Sequence, residues 1–120
     1  MKETEIHNQR MAQLTFASVY PHYIAKVQSK GRTIEELHQI IYWLTSFDQK
    51  MLLHLIDENV TFETFFQNAH LNKNAALIRG VICGYKIEEI NNPLTKKIRY
   101  LDKLVDELAK GKALDQILRK

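Results

Sequence analysis

Hydrophobic residues recur along this chain at intervals of three and four, which is the spacing that places side chains on one face of an α-helix. The first clear run of this kind consists of Tyr20, Tyr23, Ile24 and Val27. Proline is tolerated best in the first turn of a helix, and Pro21 lies within this run. We therefore expect a helix that starts near residues 18–20 and ends before Gly31.

Capping residues followed by apolar stripes predict three further helices. The stretch 33-TIEE-36 is a capping box, in which Thr33 accepts a hydrogen bond from the amide of Glu36 and the Glu36 carboxylate reaches back. Asp48 and Thr61 are N-caps for the next two helices. The expected buried faces are Leu37, Ile40, Ile41 and Leu44, with Trp43 beside them; Met51, Leu52, Leu55 and Ile56; and Phe62, Phe65, Phe66 and Ala69.

The short apolar segment 75-AALIRGVIC-83 is ambiguous, because periodicity does not separate a buried helix from a strand at this length. We favour a helix, since no second strand-like segment is present to pair with it. On a helix, Gly80 and Gly84 share one face, and Gly84 can also end the helix. Cys83 follows two apolar residues and is expected to be a buried core residue.

The longest predicted helix begins at the Asn92–Pro93 pair, a cap followed by proline at the first helical position. Gly111 is the expected stop, and residues 113–120 add a last short piece. Its apolar stripe consists of Leu94, Ile98, Leu101, Val105 and Leu108. The whole pattern predicts a compact all-α fold of five or six helices with a long C-terminal helix. We expect one helical domain over 15–120, preceded by a flexible segment over 1–14.

Composition agrees with a soluble globular domain, since 45% of the 120 residues are hydrophobic and 26% are charged. One cysteine cannot form an internal disulfide, and no apolar run approaches the roughly 20 residues that cross a bilayer. The polar start of the chain is unlike a signal peptide. We expect a cytoplasmic protein that does not engage a membrane.

The net charge of +3 is concentrated near the C-terminus, because residues 93–120 carry +4 and residues 1–92 carry −1. A basic face on the long helix is a candidate surface for nucleic acid. Asp106 and Glu107 interrupt it and are expected to pair with Lys103 and Lys110, which is typical of a solvated face. The candidate nucleic-acid-binding residues are Lys96, Lys97, Arg99 and Lys103.

A second candidate binding surface involves Tyr85, Lys86 and His22, if the fold brings them to one polar cleft. His22 follows Pro21 between two tyrosines, and it is the member of that group most expected to be exposed. The two tyrosines beside it are expected to pack as core residues.

No catalytic or metal-binding constellation is evident. No family signature surrounds Cys83 that would activate it as a nucleophile. Glu35 with His38, at i, i+3, and His54 with Glu58, at i, i+4, have metal-ligand spacing but lack an identifiable third ligand. We therefore predict no metal and no cofactor, and we favour a non-enzyme.

Several blocks together resemble a family of small bacterial proteins catalogued as domain of unknown function 2200. These blocks are 16-FASVYPHY-23, 31-GRTIEELHQIIYWLTSFD-48, 61-TFETFFQNAHLNKN-74, 77-LIRGVICGYKIEEINNPL-94 and 99-RYLDKLVDELAKG-111. The resemblance implies a small stand-alone bacterial protein and brings no functional residues with it.

The absence of catalytic groups, together with the apolar stripe on the long helix, favours a non-enzymatic binding or regulatory module. Its expected partner is another protein or a second copy of the chain. The alternative is a nucleic-acid-binding protein that uses the basic face of the long helix.

Overall fold

The computed structural model describes residues 4–120, and α-helices dominate this part of the chain. A short hairpin of β1 (Val81–Ile82) and β2 (Tyr85–Lys86) separates the fifth and sixth helices, with 3₁₀ segments at Lys73–Leu77 and Ile87–Glu89 on either side. The helices are α1 (Glu5–Gln13), α2 (Phe16–Gln28), α3 (Ile34–Thr45), α4 (Gln49–Asp57), α5 (Phe62–Gln67), α6 (Pro93–Ala109) and α7 (Leu114–Ile117). The predicted all-α class with a long helix toward the C-terminus is confirmed.

The predicted caps explain where most helices begin. Side-chain oxygens of Thr33, Asp48, Thr61 and Asn92 each accept a hydrogen bond from the amide three residues later, over 2.8–3.2 Å. The capping box is complete, because the Thr33 amide also donates to the Glu36 carboxylate at 3.0 Å. Each cap satisfies one amide that has no partner inside its own helix, which contributes about 1 kcal/mol per helix.

The predicted start of α2 was a few residues late. Thr15 caps this helix by accepting from the Ser18 amide, so the helix begins at Phe16 and Pro21 lies inside it rather than in its first turn. A threonine N-cap also begins α3 and α5, so Thr15 could have indicated the start of α2. The predicted start was based on Pro21 instead.

Helix α6 is the centre of the fold and packs against α1, α2, α3, α5, α7 and the hairpin. Its predicted stripe is buried, apart from Leu94, which is partly exposed at the edge. Burial of each such aliphatic side chain contributes about 1.5–3 kcal/mol, so the stripe makes a substantial contribution to the packing of α6.

A cluster of phenylalanines fixes α2 against α5. The rings of Phe16 and Phe65 stack with centroids 4.2 Å apart, and Phe62 meets Phe16 edge-on at 5.8 Å. The backbone supports this contact, because the Phe16 amide donates to Val60 O and the Phe62 amide donates to Leu14 O, at 2.9 and 2.8 Å. The junction between α1 and α2 is therefore held directly against the start of α5.

Helix α1 lies within residues 1–14, for which we expected a flexible segment; residues 1–3 lie outside the described part. The helix buries Asn8, Met11 and Ala12 against the rest of the fold. The Thr95 hydroxyl of α6 donates to the Asn8 side-chain oxygen at 2.7 Å in a buried contact. An asparagine on the buried face breaks the apolar pattern, which is why the sequence did not indicate this helix.

The predicted helix over 75–83 was wrong, and so was the expectation that Cys83 is buried. The segment forms a 3₁₀ turn and then the β1–β2 hairpin, in which Ile82 pairs with Tyr85. Gly80, Cys83 and Gly84 have φ of 109°, 53° and 82°, and these left-handed values are incompatible with a right-handed helix. Cys83 and Gly84 form the two-residue turn, and the Cys83 thiol is exposed.

Candidate functional site

A groove of about 350 Å³ lies between α1, α2 and α6, and we refer to it as the α1/α2/α6 groove. Its apolar lining consists of Met11, Leu14, Val19, Phe62 and Ile98. Its polar lining consists of His7, Arg10, Tyr23, Arg99 and Asp102. Small-molecule sites typically have volumes of roughly 300–1,000 Å³ and combine apolar walls with a few polar groups. This groove has both properties.

The lining of the groove includes a partly buried network of three side chains. The Tyr23 hydroxyl donates to Oδ1 of Asp102 at 2.6 Å, and Nη1 of Arg99 donates to Oδ2 at 3.0 Å. Arg99 and Asp102 are three residues apart on α6, so they lie on one face, and Tyr23 reaches them from α2. Both oxygens of the Asp102 carboxylate are therefore already engaged.

Tyr23 is a stable donor in this network. Burial raises the pKa of Tyr23 well above its usual value of 10.0, and the neighbouring Asp102 charge and the hydrogen bond to it raise that pKa further. The phenol therefore stays protonated at neutral pH and continues to donate to the carboxylate.

Arg99 is held in place from several directions. Its guanidinium carbon lies 4.9 Å from the centre of the Tyr85 ring, a cation–π contact, and its Nη2 is 3.3 Å from Nε2 of His7. The His7 ring stacks on Tyr85 with centroids 5.5 Å apart. A guanidinium only donates hydrogen bonds, so the Nε2 of His7 accepts in this contact. Elements α1, α6 and β2 thus meet around one cation.

The hydrogen bonding of Arg99 is incomplete. Its side chain is only 9% exposed, and its Nε is a buried nitrogen without a hydrogen-bond partner among the described residues. Buried polar atoms of this kind are uncommon in folded proteins, and an unpaired donor is energetically unfavourable. Arg99 is therefore a fixed cation on the groove lining, and one of its donors lacks a partner among the described residues.

The four residues of the candidate nucleic-acid surface have different environments. Lys96 and Lys97 are partly exposed on α6, whereas Arg99 is buried beneath Tyr85. Lys103 donates from Nζ to the Val81 carbonyl at 3.3 Å. Two of the four cations are thus engaged within the fold itself.

Of the three residues proposed for a polar cleft, the structure brings Tyr85 to the groove network and leaves the other two exposed. Tyr85 is buried, and it contacts His7 and Arg99. His22 is exposed on α2, as expected, and Lys86 is exposed on β2. Tyr85 therefore belongs to the site through its ring rather than as a surface group.

Asp106 and Glu107 on α6 have only some of the partners expected. Asp106 pairs with Lys110, as predicted, but its second partner is Lys26 on α2, at 3.2 Å. Glu107 pairs with Arg119 at 2.7 Å, which ties the end of the chain to α6. The prediction that Lys103 pairs with these acids was wrong, because its ammonium reaches the hairpin instead.

The two candidate metal pairs are Glu35 with His38 and His54 with Glu58. No group of three or more His, Cys, Asp or Glu side chains within residues 4–120 is arranged to hold a metal ion. His38 forms a hydrogen bond with the Tyr20 hydroxyl and stacks on that ring, and burial lowers the pKa of His38.

Sequence reasoning missed most of the groove. Tyr23 is buried in the core, as expected, but the pattern gives no sign of its hydrogen bond to Asp102. His7 and Arg10 lie in a segment for which no helix is expected from the sequence. The Arg99–Asp102 pair at i, i+3 was a usable signal, since opposite charges at that spacing on a mostly buried helix indicate a paired site.

The profile of a family described as an uncharacterized protein conserved in bacteria (DUF2200) matches residues 10–119. The chain belongs to the DUF2200 family. The match spans nearly the whole described chain, from α1 to α7, and it includes every groove residue except His7. The resemblance expected from the sequence is thereby confirmed.

A crystal structure of uncharacterized protein SP1917 shares this fold. Its sequence is 45% identical to this DUF2200 chain, the TM-score is 0.86, and the match covers 92% of this chain and 91% of the other. No curated protein matches the sequence. Neither relationship assigns an activity.

Within the described part of this DUF2200 chain, no helix is both long and apolar enough to cross a membrane.

Proposed function

We propose that this protein is a non-enzymatic binding module that takes a small ligand into the α1/α2/α6 groove. The observation that carries the proposal is the combination of apolar walls with a buried, incompletely hydrogen-bonded Arg99 in a groove of about 350 Å³. The Arg99 side chain is only 9% exposed, and burial of a charged group is unfavourable. A helix surface that served only for packing would have no need of such a residue beside an open groove.

The position of the groove supports a regulatory role as part of this proposal. Its lining comes from α1, α2, α5 and α6, so an occupant contacts several elements at once. A ligand that binds one arrangement of these helices more tightly than another shifts the population toward that arrangement. Helix α1 is one such element, and a buried hydrogen bond between Asn8 and Thr95 joins it to α6.

We also propose a cytoplasmic location, which the exposed free thiol of Cys83 supports. Exposed unpaired thiols suit a reducing compartment, where oxidation is kept in check.

A neutral apolar dye tests whether the groove binds ligands. We expect the fluorescence of N-phenyl-1-naphthylamine to rise and saturate at one equivalent of wild-type protein. The Leu14→Trp variant, which places a larger side chain at the groove, should weaken this binding about tenfold because it occupies the volume. Leu14 is 46% exposed, so the replacement does not disturb the core.

Leu53→Trp is the matched control, because Leu53 is 48% exposed on α4 and lies outside the groove. It should bind the dye as the wild type does. If dye binding is not saturable, or if both tryptophan variants weaken it equally, the groove is not the binding site.

The nucleic-acid alternative and the expected protein partner or self-association stay predictions. A nucleic-acid role predicts retention on DNA or RNA at low salt, and this retention should weaken when Lys96 and Lys97 are replaced by glutamate. Sedimentation tests self-association.

A further inference from the structure

We propose that the ligand of the α1/α2/α6 groove is a small apolar molecule that carries a single carboxylate. This inference rests on the binding function proposed above and names the chemical class of the ligand.

The walls of the groove select for an apolar body. Half of the lining residues are aliphatic, aromatic or thioether side chains, and they come from α1, α2, α5 and α6 together with the α1–α2 junction. A flat aromatic or a short alkyl chain can contact Met11, Val19 and Ile98 at once. Removal of that apolar area from water provides the non-specific part of the affinity.

The charges in the groove select for one negative charge. Arg10 and Arg99 are cationic lining residues and Asp102 is the anionic one, so the lining carries one excess positive charge when His7 is neutral. A monoanion balances this excess, whereas a second negative charge would have no partner in the apolar volume. A cationic ligand is disfavoured, because both Asp102 oxygens already accept hydrogen bonds from Tyr23 and Arg99.

The state of Arg99 favours a carboxylate as the anionic group. A guanidinium has five N–H donors, and Asp102 and His7 engage Nη1 and Nη2, while Nε has no partner within residues 4–120. The planar fork of arginine matches the two oxygens of a carboxylate. The contacts with Tyr85, His7 and Asp102 hold the fork in one place, so little ordering is required when the ligand binds. Arg10, which is exposed at the rim, supplies a second cation.

Three probes with the same alkyl chain test the polar preference by displacing N-phenyl-1-naphthylamine. Octanoate carries the carboxylate, octanamide is its neutral counterpart, and octylamine is cationic. We expect octanoate to displace the dye at a concentration at least about tenfold lower than octanamide, and octylamine to be the weakest.

Two variants assign this preference to the arginines. Arg99→Lys keeps the positive charge but loses the planar fork, so octanoate should bind about tenfold more weakly while octanamide is unchanged. Arg10→Gln should also reduce the preference for octanoate, and because the Arg10 side chain is exposed, this variant is expected to fold even if Arg99→Lys does not. Lys50→Gln, at an exposed position on α4, is the control and should leave all three probes unaffected.

The outcomes separate this inference from the binding function. If the dye binds in the groove but octanoate and octanamide displace it equally, the carboxylate assignment is wrong and the binding function stands. The carboxylate assignment is also wrong if neither arginine variant changes the preference for octanoate. If neither the dye nor any probe binds, both proposals are wrong.

Discussion

Replacement of Tyr23 by phenylalanine isolates one hydrogen bond of the groove network. The hydroxyl donates to a carboxylate over 2.6 Å, and a hydrogen bond to a charged group contributes about 1.5–3 kcal/mol. The Asp102 side chain is 16% exposed, so water can replace part of the lost bond. We therefore expect Tyr23→Phe to lower the free energy of unfolding by about 1–2 kcal/mol at pH 7.

Urea denaturation, followed by the fluorescence of Trp43, measures this change. Tyr100→Phe is the matched control, because Tyr100 is also 7% exposed but burial alone raises the pKa of its hydroxyl, with no carboxylate contributing. That control should change the free energy of unfolding by less than about 0.5 kcal/mol.

The same pair of proteins makes a pH prediction. The pKa of Tyr23 is raised in the folded state, so its contribution is complete below the unfolded value of 10.0 and is lost as the pH rises above it. The stability difference between wild type and Tyr23→Phe should therefore narrow above pH 10. If Tyr23→Phe costs no more than Tyr100→Phe at pH 7, or if the difference is constant into the alkaline range, the proposed Tyr23–Asp102 hydrogen bond is wrong.

Two further predictions concern other parts of the fold. Hydrogen bonds from Arg32 lower the pKa of Glu36 to about 2 from 4.5, so the contribution of Glu36 to stability is present above pH 4.5 and is lost as the pH falls through about 2. Since the Glu36 side chain is 27% exposed and partly screened, the free energy of unfolding of the wild type, measured by urea denaturation at pH 7, should exceed that of Glu36→Gln by about 1–2 kcal/mol. A difference that did not narrow as the pH falls from 4.5 to 2 would refute this. Cys83 is exposed, so we expect a thiol reagent to label the native protein at a rate close to that of the unfolded chain, and labelling only after denaturation would show that the hairpin turn is misplaced.

Local chemistry made much of the fold predictable. Thr33, Asp48, Thr61 and Asn92 each cap a helix as expected, because an N-cap is specified by one side chain and the amide three residues away. The buried faces of α3 and α6 were equally predictable, since apolar residues on a buried helix face recur every three to four residues.

The hairpin and α1 were not predictable in the same way. Both residues of the β1–β2 turn, Cys83 and Gly84, have a left-handed conformation, which favours glycine or asparagine. Only Gly84 therefore gave the usual sequence signal for a turn. Helix α1 is joined to α6 by a buried hydrogen bond between Asn8 and Thr95, which are far apart in sequence. Long-range polar contacts leave no periodic trace in a single sequence.

The groove was missed for a related reason. Its residues come from positions as distant as His7 and Asp102, and no short motif joins them. Arg99 was predicted as part of an exposed basic face, since helical spacing alone cannot show that the Tyr85 ring covers it.

The central claim is that Arg99 is a fixed cation on the groove lining and that its guanidinium, whose Nε–H has no partner among the described residues, binds an anionic ligand. The ¹H–¹⁵N resonance of the Arg99 Nε–H group reports on that bond directly, and its assignment follows from the loss of the signal in Arg99→Lys. We expect octanoate to shift this resonance in a saturable way, with octanamide at the same concentration causing little change. A signal that octanoate leaves unmoved while it binds the protein, or one that both probes shift equally, would contradict the claim.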